Sequence, residues 1–281
     1  MTGIQRTVYD SYLRATRWVL PPTAQDLLLR GGKRLFGTKF VFLACFPKSG
    51  STLLSESLHA LPGWRRLNSV PVDLTREQEP IRELIVRDWA AMRNNVVFKN
   101  HISHSGYLDD LIHTYRMHPY FLIRDLADVC CSLSDHFDRE TTHWPFFSLN
   151  KSQLIFLDRD AVRLDFIVDL AIPWFINCYV SWMRYKDNGG PLQVIRYEDL
   201  TLDPHNVIRH VIESAGVGYS ADEVSEAVEL VQAAPIRSRL NVGVIGRGRE
   251  FLDGNPRVEE MLNRYISYYP DIDFSPIYSK S

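Results

Sequence analysis

Four short runs of continuous apolar residues, rich in β-branched and aromatic side chains, divide the first two hundred residues of the chain. Such runs, without the polar alternation of a half-exposed strand, are typical of strands that are buried on both faces of a parallel sheet. The pattern therefore predicts strands over 39–46, 95–99, 119–124 and 192–197.

Helical spacing of the apolar positions fills the intervals between these strands. The predicted helices lie at 52–60, 81–92, 108–115, 127–137 and 164–185. Alternating strands and helices predict an α/β fold with a mostly parallel central sheet flanked by helices. Because ligands of such sheets bind at the carboxyl ends of the strands, the residues that follow each strand are the first candidates for chemistry.

The longest apolar stretch, 166–183, is interrupted by Asp169, Pro173 and Asn177. Its length is already marginal for crossing a bilayer, and polar residues inside a membrane are costly. We interpret this stretch as a buried helix kinked at Pro173. The sequence thus predicts no transmembrane segment.

Length and charge narrow the functional classes. A chain of 281 residues without an internal repeat or a Gly/Ser linker is interpreted as a single domain, 1–281. Its net charge of −2 argues against a nucleic acid partner bound through bulk charge. An anionic ligand must therefore be bound by a local group of residues.

Two segments stand apart from the alternating pattern. Residues 1–37 form a basic N-terminal arm, which lies within a stretch, 1–50, that holds eight Lys or Arg and two Asp. We expect a solvated helix face there, with contact to a membrane surface or an acidic partner as the alternative. Residues 138–160 lack clear periodicity, and we interpret them as an insertion over one end of the sheet.

The four cysteines form no CxxC pair and no cluster with histidines. Neither a structural zinc site nor a disulfide framework is therefore predicted. Because the first residues show no secretory signal, we expect a cytoplasmic protein. A homo-oligomer is left open by the sequence.

The loop after the first predicted strand has the layout of a phosphate cradle. Lys48, Ser49, Gly50, Ser51 and Thr52 join the strand to an apolar helix, so a glycine turn and hydroxyl donors lie at a helix N-terminus. A Walker A loop is excluded, because its lysine follows the second glycine. The simpler alternative is that Ser51 or Thr52 only caps the helix.

A second candidate anion site follows the third predicted strand. Arg124 ends this strand and offers a planar fork of donors, and Ser132 lies eight residues further on along the next helix. Two anion sites at adjacent strand ends fit a ligand with two separated phosphate groups. The alternative for Arg124 is an ion pair with Asp125 or Asp128.

Three ordered motifs together resemble the sulfotransferases that use 3′-phosphoadenosine 5′-phosphosulfate (PAPS). Residues 46–52, FPKSGST, resemble the PKSGTT loop of that family; residues 124–132, RDLADVCCS, resemble its RxxxDVxxS segment; and residues 197–200 read YEDL, as in the family. The resemblance implies the P-loop-kinase-like sulfotransferase fold. It also implies PAPS as donor, no metal, and a small-molecule or glycan acceptor with a hydroxyl group, for which 138–160 is expected to lie near the site.

The resemblance also assigns roles to individual residues. It implies that His101 is the general base and that Lys99 and Lys48 are the cations that act on the transferring sulfuryl group. A neutral imidazole suits the removal of a proton from an alcohol near neutral pH. His104 is the second candidate base and Glu56 the third. The implied donor-binding residues are Lys48, Ser49, Gly50, Ser51, Thr52, Arg124, Ser132, Tyr197, Arg247, Gly248 and Arg249.

The sequence departs from the family at two places. Leu53 stands where many cytosolic members have a tryptophan that stacks on adenine, so adenine is expected to rely more on Tyr197. The family's C-terminal RKGxxGDWK segment is matched loosely by residues 241–249, NVGVIGRGR, in which the basic pair is missing. We expect Arg247 or Arg249 to supply that charge.

The function predicted from these motifs is PAPS-dependent transfer of a sulfuryl group to a hydroxyl. Two alternatives remain at this point. The first is a nucleotide or small-molecule kinase with the same strand-loop-helix layout, which the missing Walker A lysine disfavours. The second is a nucleotide-binding protein without catalysis.

Overall fold

Five parallel strands form the central sheet of the part of the chain that the structure, a computed structural model, describes. The described residues are 21–70, 79–88, 93–139, 159–234 and 245–278. The strands are β1 (Phe40–Cys45), β2 (Trp64–Arg66), β3 (Asn95–Asn100), β4 (Met117–Ile123) and β5 (Gln193–Arg196). They lie in the order β2-β3-β1-β4-β5, and each paired strand is parallel to its neighbour. The predicted α/β class is confirmed.

Helices cover both faces of this sheet. The first six are α1 (Pro22–Phe36), α2 (Ser51–Ala60), α3 (Arg82–Arg87), α4 (Gly106–Tyr115), α5 (Leu126–Arg139) and α6 (Arg159–Asp165). A π-helical turn, Phe166–Ala171, leads into α7 (Ile172–Asp187). The remaining helices are α8 (Tyr197–Leu202), α9 (Pro204–Ser214), α10 (Ala221–Gln232), α11 (Gly248–Gly254) and α12 (Pro256–Ile266).

The central strand β1 is buried on both faces, as its continuous apolar run predicts. All six of its residues have 0% exposure. Because side chains alternate along a strand, Phe40 and Phe42 enter one core, which packs against α7. Val41 and Leu43 enter the other core, which packs against α2, α9 and α10. The loop that follows β1 therefore emerges between two packed layers.

Strand β2 is an element that the hydrophobic pattern missed. Its three residues, Trp64–Arg66, include two arginines and pair only with β3, at one edge of the sheet. An edge strand needs only one apolar side chain to attach, and Trp64 supplies it by entering the core of α2. The pattern search required a continuous apolar run, and this segment has none.

The long apolar helix contains a change of helix type next to its proline. Pro173 lies in the first turn of α7, directly after the π-helical turn Phe166–Ala171. The first turn of a helix tolerates a residue without an amide hydrogen. Among the described residues, the stretch 162–187 is long and apolar enough to span a bilayer, but most of it is buried inside the fold. Phe175 and Trp182, for example, are fully buried.

Helix α1 carries the described part of the basic arm. Arg30 and Arg34 are exposed, as expected for a solvated face. Lys33 contradicts that expectation, because it is 9% exposed. Its Nζ donates to the carbonyl of Tyr115 at 2.5 Å and lies 3.5 Å from the centre of the Phe40 ring. Residues 1–20 of the arm lie outside the described residues, as does most of the predicted insertion at 138–160.

Candidate active site

Four chain segments meet at the carboxyl edge of the sheet. The loops that follow β1, β3 and β4 and the start of α8 after β5 lie side by side, because these strands are neighbours and parallel. Of the sequence-predicted residues, Lys48, Arg124 and Tyr197 belong to these segments, and Lys99 is the last residue but one of β3. The fold thus brings the separate motifs to one edge.

The cradle loop between β1 and α2 has a tightly specified backbone. Lys48 and Gly50 both adopt left-handed conformations, with φ of 69° and 77°. A Cβ on Gly50 would lie 3.0 Å from the Tyr197 ring, so only glycine combines this angle with this approach. Ser51 begins the ten-residue helix α2, so the first amides of that helix border the loop.

Ser49 has a structural position within this loop. It is fully buried, and both its amide (3.3 Å) and its hydroxyl (2.7 Å) donate to the carbonyl of Phe46. These two bonds close the turn that reverses the chain after β1. Ser49 therefore stabilises the backbone of the cradle loop from its buried side. The motif alone does not reveal this role.

Lys99 reaches the cradle from the neighbouring strand. In the parallel pairing of β1 and β3, Lys99 stands opposite Leu43 near the carboxyl end of the pair. Its Nζ donates to Oγ1 of Thr52 at 2.7 Å, in the first turn of α2. The ammonium group is therefore held at the positive end of a helix, where an anion is favoured.

His101 follows β3, and a backbone bond fixes its tautomer. Its Nδ1 lies 2.9 Å from the carbonyl oxygen of Cys45 and 3.3 Å from the Cys45 sulfur. Since a carbonyl only accepts, Nδ1 carries the proton of the neutral ring, and Nε2 carries the lone pair. Asn100 is fully buried and accepts a hydrogen bond from Ser69 at 2.9 Å, which fixes the chain just before His101.

The two rival bases have other contacts. The His104 ring stacks on Tyr185 at a centroid distance of 4.0 Å and meets the edge of Trp182. Burial lowers the pKa of His104 below its usual value. Glu56 forms an ion pair with Arg66 of β2. The contacts of both residues are those of side chains packed or paired within the fold.

Arg124 links the two candidate anion sites. It is 7% exposed and donates to the carbonyl of Lys48 at 3.0 Å. Its guanidinium lies 4.1 Å from the centre of the Tyr197 ring and 3.6 Å from the Asp128 carboxylate. The ion pair with Asp128 that the sequence offered as an alternative is thus present. The same side chain also supports the backbone of the cradle loop at its left-handed residue.

Tyr197 and Leu53 are both buried, but in different surroundings. Tyr197 is 5% exposed, and its ring lies between Arg124 and Gly50. Leu53 is 3% exposed and belongs to the core between the sheet and α2. A side chain buried in that core does not offer a face to a ligand, so Leu53 is a packing residue.

The C-terminal segment lies against the start of α5. Asp128 accepts hydrogen bonds from the amides of Gly246 at 2.9 Å and Gly248 at 2.6 Å. Arg247 forms an ion pair with Asp135 of the same helix at 2.7 Å. Ser132 lies between these contacts, one turn after Asp128, and is half-buried. The second candidate anion site is therefore bordered by the C-terminal segment.

Arg249 points to different partners from those of Arg247. It pairs with Asp253, one turn further along α11, at 3.2 Å and with Glu259 of α12 at 3.7 Å. The two arginines that the sequence could not separate therefore differ in the structure. Arg247 contacts α5, the helix of the second candidate anion site, and Arg249 contacts the C-terminal helices.

A comparison with protein families decides what kind of protein carries this site. The family model described as "Sulfotransferase domain" matches residues 39–240, which is well over half of the chain. The chain belongs to the sulfotransferase domain family. The resemblance drawn from the three motifs is thereby confirmed.

Relatives of this sulfotransferase-family chain include one curated protein and several solved structures. Cytosolic sulfotransferase 16 of Arabidopsis thaliana is 24% identical over 200 residues, which span 66% of this chain and 56% of that protein. The structure of mouse sulfotransferase SULT7A1 complexed with PAP has a TM-score of 0.58 at 14% identity, and the match covers 82% of this chain and 83% of that one. Retinol dehydratase in complex with androsterone and PAP has a TM-score of 0.51 at 14% identity, with 84% and 82% covered. The structural matches confirm the sulfotransferase fold.

Sequence reasoning about this sulfotransferase domain missed two residues that touch the site residues. The sequence indicates Asp128 only as an alternative ion-pair partner of Arg124, yet its carboxylate also accepts hydrogen bonds from two glycine amides. The sequence indicates no role for Cys45 in the site, yet its carbonyl accepts the hydrogen bond that orients the ring of His101. The Asp lies inside the RDLADVCCS motif, so its position was visible, but its partners lie about 120 residues away along the chain.

Proposed function

We propose that the protein transfers a sulfuryl group from PAPS to the hydroxyl of a small-molecule acceptor. The observation that carries this proposal is the position of His101 beside the cradle loop, with its Nδ1 bonded to the Cys45 carbonyl. A cradle alone is compatible with any phosphate ligand. A cradle together with an oriented neutral imidazole suits the removal of a proton from a hydroxyl.

The donor is inferred from two features of the site. The cradle at the N-terminus of α2 suits the 5′-phosphosulfate, since helix amides, Lys48 and Lys99 converge there. Arg124 and Ser132 suit the 3′-phosphate, next to Arg247. Both matched structures described above contain PAP, which is adenosine 3′,5′-bisphosphate. These features support PAPS as the donor of this protein too.

The chemistry follows from the chain's own residues. His101 Nε2 takes the proton of the acceptor hydroxyl while the acceptor oxygen forms a bond to sulfur. The bond between sulfur and the 5′-phosphate oxygen breaks at the same time, and adenosine 3′,5′-bisphosphate is released. By analogy with phosphoryl transfer, charge grows on the peripheral and leaving oxygens, where Lys48 and Lys99 stabilise it. Thr52 keeps Lys99 aimed at this point.

Arg247 is our choice for the missing basic charge of the C-terminal segment. Its ion pair with Asp135 holds the Arg247 side chain against α5, the helix that also contains Ser132. Arg249, which pairs with Asp253 and Glu259, is proposed to stabilise the C-terminal helices instead.

The acceptor class and the compartment rest on the relatives. Retinol dehydratase was crystallised with androsterone, and the curated relative is described as cytosolic. We infer a small hydroxyl-bearing acceptor and a cytoplasmic location for this chain. A glycan acceptor is the alternative that an acceptor panel would reveal.

Binding and transfer assays test the proposal together. Thermal unfolding of the protein is compared with adenosine 3′,5′-bisphosphate, with AMP and with ATP plus Mg²⁺. A ligand at about a hundred times its Kd stabilises by about 2.7 kcal/mol, so we expect the bisphosphate to raise the Tm by about 5 °C, which should exceed the shifts from the other two ligands. Transfer from PAPS is then measured on a panel of phenols, alcohols, sterols and sugars.

Each alternative function predicts a different result. Stabilisation by ATP plus Mg²⁺, together with phosphate transfer, would point to a kinase. Bisphosphate binding without sulfation of any member of the panel would point to a nucleotide-binding protein. Either outcome would overturn the proposed activity.

A further inference from the structure

We propose that Asp128 is a positioning residue of the donor site, whose carboxylate fastens the segment 246–248 beside Arg124. The inference rests on the proposed function, because it concerns how the 3′-phosphate of the donor is held. It assigns a role to a buried carboxylate in a region where an anionic ligand would otherwise make a negative charge unfavourable.

The two oxygens of Asp128 have separate backbone donors. Its side chain, in the first turn of α5, is 2% exposed. Oδ2 accepts from the amide of Gly246 at 2.9 Å, and Oδ1 accepts from the amide of Gly248 at 2.6 Å. Bonds from amides to a buried carboxylate are charge-assisted and stronger than neutral ones. Asp128 therefore holds a chain segment that lies about 120 residues further on.

The segment approaches α5 so closely at Gly248 that a glycine is required there. A Cβ on Gly248 would lie 2.3 Å from the Asp128 nitrogen and 2.4 Å from the Ala127 carbonyl carbon. These are backbone atoms, which cannot turn aside as a flexible side chain does. Gly246 has a φ of 87°, a conformation that favours glycine. The backbone of the segment thus docks directly on the backbone of the helix.

The same carboxylate reaches Arg124. Oδ2 of Asp128, which takes the Gly246 amide, lies 3.6 Å from the Arg124 guanidinium. One side chain therefore sets the distance between the arginine and the C-terminal segment. Asp135, two turns further along α5, holds Arg247 at 2.7 Å. Arg124 and Arg247 are both placed by carboxylates of one helix.

Replacing Asp128 with asparagine distinguishes two roles by sign. If the carboxylate only neutralises Arg124, its removal frees positive charge, and adenosine 3′,5′-bisphosphate binds more tightly. If it positions the segment, one glycine amide loses its acceptor, and the bisphosphate binds less tightly. The bonds of 2.6 and 2.9 Å are shorter than the 3.6 Å ion-pair contact, so we expect the positioning effect to dominate.

The experiment measures the Kd of adenosine 3′,5′-bisphosphate and of AMP by calorimetry for the wild type and Asp128→Asn. We expect the Kd of the bisphosphate to rise about tenfold to a hundredfold, with a much smaller change for AMP. Amide hydrogen exchange should accelerate at Gly246 and Gly248 in the variant. Asp125→Asn is the matched control, because it removes the same charge one turn earlier while asparagine preserves the cap on the Asp128 amide.

A second variant tests the contact from the other side and protects against a folding defect. Gly248→Ala should raise the Kd of the bisphosphate, whereas Gly254→Ala, in the same helix with nothing within 4 Å, should not. The double variant Asp128→Asn/Gly248→Ala should lose less than the two single losses combined, because both act on one contact.

Three outcomes decide the matter. Tighter or unchanged bisphosphate binding by Asp128→Asn, or equal effects of Asp125→Asn, would overturn the positioning role. A wild-type protein that binds AMP as tightly as the bisphosphate would instead refute the proposed donor. The two failures are therefore distinguishable.

Discussion

Basic side chains gather at both edges of the central sheet, and the two groups behave differently. Lys48, Lys99 and Arg124 lie at the carboxyl edge, where α2 and α5 begin. Lys33 contacts the amino edge, where α4 ends at Tyr115. In a parallel α/β sheet, helices start at one edge and finish at the other, so their dipoles give the two edges opposite signs.

At the amino edge, Lys33 has a partner within the fold. It donates to the carbonyl of Tyr115, the last residue of α4, so a helix C-terminus offsets part of the cost of burying the ammonium group. At the carboxyl edge, the cations lie at helix N-termini, whose field has the same sign. The Asp128 carboxylate offsets part of that repulsion at Arg124, and a bound anion adds to this effect. The direction of the helices, and not the number of basic residues, therefore decides which edge binds a phosphate.

The largest expected effect separates the histidines of the two edges. His101→Ala should lower kcat by roughly 10² to 10⁴, while the Kd of the bisphosphate stays nearly constant, because the imidazole acts on the acceptor. His118 is the second residue of β4 and lies at the amino edge, so His118→Ala is the matched control. Steady-state kinetics with an acceptor whose hydroxyl is neutral make the test. Near wild-type turnover in His101→Ala would transfer the base role to His104 or Glu56.

The second largest expected effect separates a basic residue of the carboxyl edge from one of the amino edge. Arg124→Ala should weaken bisphosphate binding by about 2 to 4 kcal/mol, because a buried charge-assisted contact is lost. AMP binding should weaken less, though measurably, since Arg124 also donates to the carbonyl of Lys48. Lys39→Ala, at the amino edge, should change neither Kd. Calorimetry with both nucleotides provides the values, and equal losses for the two nucleotides would remove Arg124 from the 3′-phosphate site.

The smallest effect concerns pH and Lys33. Burial, followed by the nearby charges of Lys39 and Arg116, lowers the pKa of Lys33 to about 7. In the unfolded chain, the Lys33 ammonium group keeps its proton up to about pH 10.4, whereas in the folded protein it loses the proton at lower pH. The free energy of unfolding of the wild type therefore rises as pH rises from 7 towards 10. Lys33→Met removes that slope.

The measurement is urea unfolding of both proteins between pH 6 and pH 10. The stability of Lys33→Met relative to the wild type should fall by roughly 2 to 4 kcal/mol over this range. Arg34→Met, at an exposed position of the same helix, shows the effect of removing any cation. Parallel pH curves for the wild type and Lys33→Met would contradict the buried charge at the amino edge.

The strands and the main motifs could be predicted from the sequence because their signals are local. Residues 40–46, directly before Pro47, are all fully buried because both faces of the strand are covered, and the loop residues follow directly. Trp64–Arg66 could not be found in this way, because an edge strand carries little apolar signal. The same holds for Lys33, whose burial depends on the end of a helix 82 residues away.

The orientation of single side chains was the other limit. Leu53 and Glu56 follow the cradle on one helix, yet one is packed in the core and the other pairs with Arg66. Spacing alone did not tell which face meets the ligand. The sequence also could not distinguish Arg247 from Arg249. Their ion pairs, with Asp135 and Glu259 respectively, distinguish them in the structure.

The strand order also has a consequence for how the protein is assembled during synthesis. The central strand β1 pairs with Asn95–Asn100 and Met117–Ile123, which emerge from the ribosome much later. Such non-local pairing makes folding slow and leaves apolar strands exposed while they wait for partners. The segment that docks on Asp128 arrives later still, at Gly246. All five described strands are therefore synthesised before the segment that docks on Asp128.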